Sequence, residues 1–338
     1  MLPSCGSKEC TRGSERRRRV NDRLLRMPIL FEIRYPSRWY TKLLVLVLGL
    51  LFFTLLATGS IAAFLTYRII KPQRTSSEIS RESFPGRPDS VDFTVPGGGL
   101  RHGWFFPGRV GAPTVVLCHG YESSRGELLT LISELQDHQY NVFAFDFAGH
   151  GAIGGITTLG YEEATEVRAA IDTLAQRIDV DPARFGLWGY NLGAYAALSE
   201  AEKDSRVRAI ILDSVYDDPA QLVMVEVKKE GLGRFQFLIH WTQHGFRWIN
   251  HQYRDVPPLS KSLGQLAGVP KLFIEAIDQP DLAEATREIF LEAPRPREEA
   301  VLGRGNFVSM DDDDKRLYEN RVVSFFLLHL PATGKPPK

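Results

Sequence analysis

Short apolar runs bounded by turn residues recur between residues 90 and 330: Val91–Val95, Trp104–Phe106, Thr114–Cys118, Asn141–Phe145, Phe185–Trp188, Val207–Leu212 and Lys271–Glu275. Between the later runs, apolar positions return with helical spacing over Gly126–Gln136, Tyr161–Arg177, Leu192–Ala201 and Ala283–Leu291. The alternation predicts an α/β domain with a mostly parallel sheet and helices on both faces. Sites in such sheets form at the carboxyl ends of the strands. The segments at those ends are CHGYESS, DFAGHG, GYNLGA, DSVYDD and EAIDQPD. Residues 217–262 break the pattern. They hold Phe235, Phe237, Trp241, Phe246, Trp248 and Tyr253 among basic residues and histidines. Two readings are open there: a cap over a pocket, or the aromatic core of a helical insertion.

Nearer the N-terminus, residues 43–66 carry no charge. As a helix they would be roughly 36 Å long, enough to cross a bilayer core. Trp39 and Tyr40 flank one end and Tyr67 the other, and Lys42 and Arg68 close the span. A signal peptide has a shorter apolar region than this. The first 42 residues hold 11 Lys and Arg against 4 acids, so the basic flank predicts a cytoplasmic N-terminus. The expected localisation is a cell membrane, with the main domain extracytoplasmic. A start at Met27 would leave Arg34, Arg38 and Lys42 before the span. Residues 67–88 are rich in polar residues and proline and predict a linker. The expected order is a basic leader (1–42), a transmembrane helix (43–66), the linker (67–88) and the domain (89–333) with its insertion at 217–262. Asp311–Lys315, DDDDK, is an acidic start for a following helix.

Composition narrows the partners. Lys plus Arg equals Asp plus Glu at 41 each, which gives no reason to expect nucleic acid. Of the three cysteines, only Cys118 falls in the domain, and the Cys/His spacing suits no metal. Neither a metal nor another cofactor is expected. Cys118 and His119 are adjacent on a strand and would point to opposite faces, so they make no simple nucleophile–base pair. Cys118 is expected to be a buried structural thiol.

The turn Gly189-Tyr190-Asn191-Leu192-Gly193 follows a buried strand and opens an Ala-rich helix. With His119-Gly120, the motif Asp146-x-x-Gly149-His150-Gly151 and the stretch TTLGYEEATEVRAAIDTLA, it resembles the α/β-hydrolase family over residues 90–332. The serine-aminopeptidase-like and acyl-esterase-like branches are the most similar. The resemblance implies the α/β-hydrolase fold. It also implies a nucleophile at the elbow, an acid after the penultimate strand and a histidine after the last. Here the elbow residue is Asn191, and the histidine position falls on Asn306. The acid position falls on Asp278 or Gln279. The oxyanion donors implied are the backbone N–H groups of Tyr121 and Leu192, which are expected to point at a carbonyl oxygen or an anion.

A carboxamide has no proton whose loss yields a nucleophile, and it does not shuttle protons as imidazole does. No other histidine fills the position: His119 and His150 belong to loop motifs, His240, His244 and His251 to the insertion, and His329 to the last helix. Asparagine does tolerate positive φ, so the turn can keep its shape. The expectation is a single-pass membrane protein whose domain lacks serine-hydrolase catalysis. It would act as a binding or scaffolding module for an acyl or peptide-like ligand. The rivals are an atypical esterase or peptidase in which Asp278 or Asp281 activates water, and a structural partner of another membrane protein.

Overall fold

A computed structural model describes residues 38–74, 88–97, 99–305, 307 and 310–332. The basic leader through residue 37, with Cys5, Cys10 and Met27, lies outside the described residues, as do residues 75–87 of the linker and Asn306. Contacts divide the chain into two compact units, Met1–Leu56 and Ala57–Lys338. Helix α1, Trp39–Ile70, begins in the first and ends in the second, and it is long and apolar enough to cross a membrane. Up to Leu56 its side chains are largely exposed.

Within the second unit the helix continues past the expected boundary at Thr66. Ala62, Leu65, Thr66, Ile69 and Ile70 are buried, a stripe with helical spacing. Leu65, Ile69 and Ile70 belong to the domain core. The Ile70 carbonyl accepts the Thr157 N–H at 2.8 Å. The expected linker is therefore corrected at its start: residues 67–70 are helix, two of them in the core.

Eight strands form one sheet: β1 (Asp89–Val95), β2 (Gly99–Phe106), β3 (Thr114–Cys118), β4 (Asn141–Phe145), β5 (Phe185–Tyr190), β6 (Val207–Asp213), β7 (Lys271–Ala276) and β8 (Arg297–Leu302). Their order is β1-β2-β4-β3-β5-β6-β7-β8. The β1–β2 and β2–β4 pairs are antiparallel and the rest parallel. The chain places β4 on one side of β3 and β5 on the other, so the direction of winding reverses there, where ligand crevices form. Alternation along β3 feeds two layers. Val116 and Cys118 join one core, while Val115 and Leu117 join the other.

Helices α2 (Leu129–Asp137), α3 (Tyr161–Leu174), α4 (Leu192–Ala201), α5 (Pro219–Val227), α6 (Gln236–Ile249), α7 (Pro280–Glu292) and α8 (Asp312–His329) are the other described α-helices. The core with α3 and α4 and the core with α2 and α8 lie on opposite faces. Asp311 caps α8 by accepting the Asp314 N–H at 3.0 Å, the role expected of the acidic run. The insertion is helical, built on α5 and α6. Neither reading of its aromatics holds for all of them. Phe246 is buried and Tyr253 stacks on Tyr161 with centroids 4.8 Å apart, but Phe235, Phe237, Trp241 and Trp248 are exposed.

Candidate site at the β5–α4 elbow

The elbow is built by close approach of β5 and α4. Gly189 and Gly193 have no room for a side chain: a Cβ on Gly193 would collide with the Cys118 carbonyl, and one on Gly189 with the Gly193 carbonyl. Between them Asn191 sits at φ 36°, a conformation that asparagine accepts more readily than most residues. Its N–H donates to the Asp213 carbonyl at 2.8 Å, tying the turn to the end of β6.

The side chain of Asn191 occupies the place its backbone frames. Tyr121 N–H donates to Asn191 Oδ1 at 2.8 Å, and Leu192 N–H donates to the same oxygen. Asn191 is 3% exposed. The two donors, expected to point at a carbonyl oxygen or an anion, point at the chain's own carboxamide oxygen. A protein carbonyl already fills the spot. The occupancy has a simple cause. An Asn side chain ends in a carbonyl at about the reach of a short acyl group, and two buried N–H groups left empty would cost about 1–3 kcal/mol each.

Tyr121 is held from its other end too, because its phenol donates to the Ile69 carbonyl at the end of α1 (3.0 Å). His119 is fully buried. Its Nδ1–H donates to the Gly120 carbonyl (2.8 Å) and its Nε2 accepts Phe147 N–H (3.0 Å). Both bonds hold the neutral ring, and burial lowers its pKa. Burial likewise pulls His150 down to about 4, and its Nδ1 donates to the Ala148 carbonyl. Burial thus disfavours the charged form of both rings. The Cys118 thiol is fully buried and pushed up by that burial, so it stays protonated.

Asp278 follows β7 and is exposed, and its Oδ1 accepts Gly305 N–H at 2.9 Å. It therefore holds the residue just before Asn306, whose own placement lies outside the described residues. Gln279 turns to the elbow instead, its Nε2 donating to the Tyr190 hydroxyl at 2.9 Å. Asp281 pairs with Lys228 Nζ at 2.6 Å, at the start of α7. A cavity of about 240 Å³ lies over the elbow, lined by Ser123, Glu127, Tyr190, Asn191, Lys229 and Phe307 among others. A larger one of about 450 Å³ is in the insertion, where Tyr161, Arg247, Trp248 and Tyr253 line it. The chemistry that the elbow motif implies belongs to the smaller cavity.

One polar network under the elbow gave no functional signal in the sequence beyond an aspartate ending the apolar run AIILD. Asp213 is fully buried. Its Oδ2 accepts the Tyr318 hydroxyl (2.8 Å) and its Oδ1 the Ser214 hydroxyl (2.8 Å), and Trp188 Nε1–H donates to Tyr318 (3.0 Å). Burial pushes the Asp213 carboxyl up to about 7, against an ordinary 3.8. The folded chain thus holds this proton more tightly than the unfolded chain. The stabilisation is complete below the unfolded value and is lost as pH rises through the folded one. Asp213→Asn should remove that dependence. Between about pH 4 and about pH 7 the native protein should lose a few kcal/mol relative to the variant. Melting curves across that range check this, and parallel profiles for the two proteins would refute the assignment.

The family model described as "Alpha/beta hydrolase family" matches residues 115–329. The chain belongs to this family, and its sheet, elbow and helix layers are those of the α/β-hydrolase fold. It is 31% identical over 254 residues to the uncharacterized protein YfhR of Escherichia coli O157:H7, covering 72% of this chain and 82% of that one. Uncharacterized protein Rv2307c of Mycobacterium tuberculosis H37Rv is 32% identical over 124 residues, 36% of this chain and 43% of its own length. Among solved structures, an esterase of Pyrococcus furiosus, Pf2001, superposes with a TM-score of 0.60 at 19% identity, over 78% of this chain and 98% of that one.

Proposed function

We propose that this chain is a membrane-anchored binding module on an α/β-hydrolase scaffold, without serine-hydrolase catalysis. One observation carries the reading: the carboxamide oxygen of Asn191 accepts both N–H groups that the family resemblance assigns to the oxyanion. A substrate carbonyl would have to displace a tethered, intramolecular competitor. At position 191 itself the side chain also offers no hydroxyl or thiol to attack that carbonyl. The other catalytic assignments, Asp278 for the acid and Asn306 for the histidine position, belong to the same proposal. Ser123, Glu127 and Lys229 set polar groups of both charges around the cavity, beside the aromatic faces of Tyr190 and Phe307. An acyl or peptide-like ligand of modest size suits that mixture.

The atypical-hydrolase reading has less support. Asp281 is engaged by Lys228, and Asp278 by the Gly305 N–H. The purified full chain should give no fluorophosphonate adduct and no burst with activated esters. Stoichiometric labelling of any serine would defeat the proposal. So would ester turnover that survives Asn191→Ala. We also place the N-terminus in the cytoplasm and the domain outside, because basic residues crowd the flank before the span. A reporter fused after Lys338 should be active only in the extracytoplasmic compartment, and cytoplasmic activity would reverse the orientation.

A further inference from the structure

Helix α6 has two unlike faces. Leu238, Ile239, Thr242 and Phe246 are buried. This inner side lies along the last part of α1: Thr66 Oγ1 donates to the Thr242 carbonyl at 3.3 Å, and a Cβ on Gly245 would press on that same hydroxyl. Trp241 reaches further back along α1, its ring 3.4 Å from where a Cβ on Gly59 would stand. Gly59 is seven residues inside the end of the charge-free stretch 43–66, roughly 10 Å along the helix axis.

The outer side of α6 is aromatic and exposed. Phe237 is 47% exposed, Trp241 37% and Trp248 78%. They stand at i, i+4 and i+11, so they share a face. Phe235 adds a further exposed ring, edge-on to Phe237 with centroids 6.0 Å apart. His240, His244, Arg247 and His251 are exposed among them. No acidic residue occurs between Glu230 and Asp255. The 450 Å³ cavity shares Arg247, Trp248 and His251 with this surface.

We propose that this face of α6 is a lipid-docking surface that rests in the headgroup layer of the bilayer that α1 enters. Three observations select lipid over other occupants. The face is continuous with α1 through the Trp241–Gly59 contact, at the level of a stretch composed for the membrane. Its residues are those of interfacial helices: tryptophan and phenylalanine beside basic side chains that favour anionic headgroups. No carboxylate occurs between Glu230 and Asp255 to repel an anionic headgroup, and Arg247 meets Asp218 (3.6 Å) only at the edge of the helix. Exposed aromatic patches are otherwise rare on soluble domains. Lipid docking rests on α1 as the membrane anchor proposed above and is independent of the chemistry at the elbow.

The test uses the full chain in vesicles of phosphatidylcholine and phosphatidylglycerol in equal parts, with shallow doxyl-labelled lipid as quencher of tryptophan fluorescence. Trp39 is removed by Trp39→Phe in all samples. Trp104 and Trp188 are buried and serve as the unquenched background. The Trp39→Phe protein should be quenched. Adding Trp241→Phe and Trp248→Phe should abolish most of that quenching, and Trp248→Phe alone should remove a large share of it. The single exchange lies at a mostly exposed position and guards against misfolding of the multiple variant. Absence of quenching in the Trp39→Phe protein overturns the proposal. Quenching that is unchanged without Trp241 and Trp248 overturns it as well, as does burial of the face in a dimer that lipid does not reach.

Discussion

Asn191→Ser combined with Asn306→His should give a protein that hydrolyses activated esters, while neither single variant does so appreciably. The first exchange does two things. It withdraws the carbonyl that now accepts from Tyr121 and Leu192, so both N–H groups become free for a substrate oxygen. It also sets a hydroxyl at the elbow, at the φ of 36° held by Asn191. Serine is less at ease there than asparagine, yet Ser214, just past the end of β6, already sits at φ 54°. The second exchange supplies the base. Asp278 accepts Gly305 N–H at 2.9 Å, so an acid stands beside the residue that precedes the exchanged position. Each freed oxyanion donor is worth about 10²–10³ in rate, and a positioned base about 10²–10⁴. Turnover of a p-nitrophenyl ester and fluorophosphonate labelling at residue 191 measure the gain. A well-folded double variant that neither turns over nor labels would show that residue 306 is not at the histidine position, or that the cavity admits no ester.

Several parts of the fold were legible in the sequence, for identifiable reasons. Strands β3 to β7 are buried on both faces and appear as continuous apolar runs, and the elbow glycines mark a close approach that their spacing alone implies. β8 escaped because it is an edge strand. REEAVL is half charged, and only pairing with β7 makes it a strand. The end of α1 was hidden for the opposite reason. In a uniformly apolar segment the stripe Ala62, Leu65, Thr66, Ile69, Ile70 gives no contrast, so composition indicates a span but not which side packs on protein. That asparagine stands at the centre of the elbow turn was legible. Its oxygen as a plug was not, since that depends on a side-chain torsion and on Tyr121, 70 positions away. The Asp213–Tyr318–Trp188 chain is likewise joined only by folding, with 105 positions between Asp213 and Tyr318.

A chain beginning at Pro88, the boundary that the linker composition points to, should be far less stable than one beginning at Ala57. Removing residues 57–87 strips Leu65, Ile69 and Ile70 from the domain core, each now 5–6% exposed. Burying a side chain of this kind contributes about 1.5–3 kcal/mol, so the loss is about 5 kcal/mol or more. The Tyr121 hydroxyl and the Thr157 N–H also lose their partners, the carbonyls of Ile69 and Ile70. For a domain of this size such a loss lowers the melting temperature by about 10–20 °C. Thermal unfolding of the two truncated chains in the same detergent-containing buffer measures the difference. Ile69→Ala in the chain from Ala57 should reproduce part of it, about 2–5 kcal/mol. Equal melting points for the two chains would mean that the end of α1 rests on the domain without stabilising it. If the loss appears, hydrogen exchange should also quicken at the Tyr121 amide in the shorter chain. That amide donates to Asn191 Oδ1, and the phenol of the same residue is what α1 now holds, so helix α1 and the elbow share one residue.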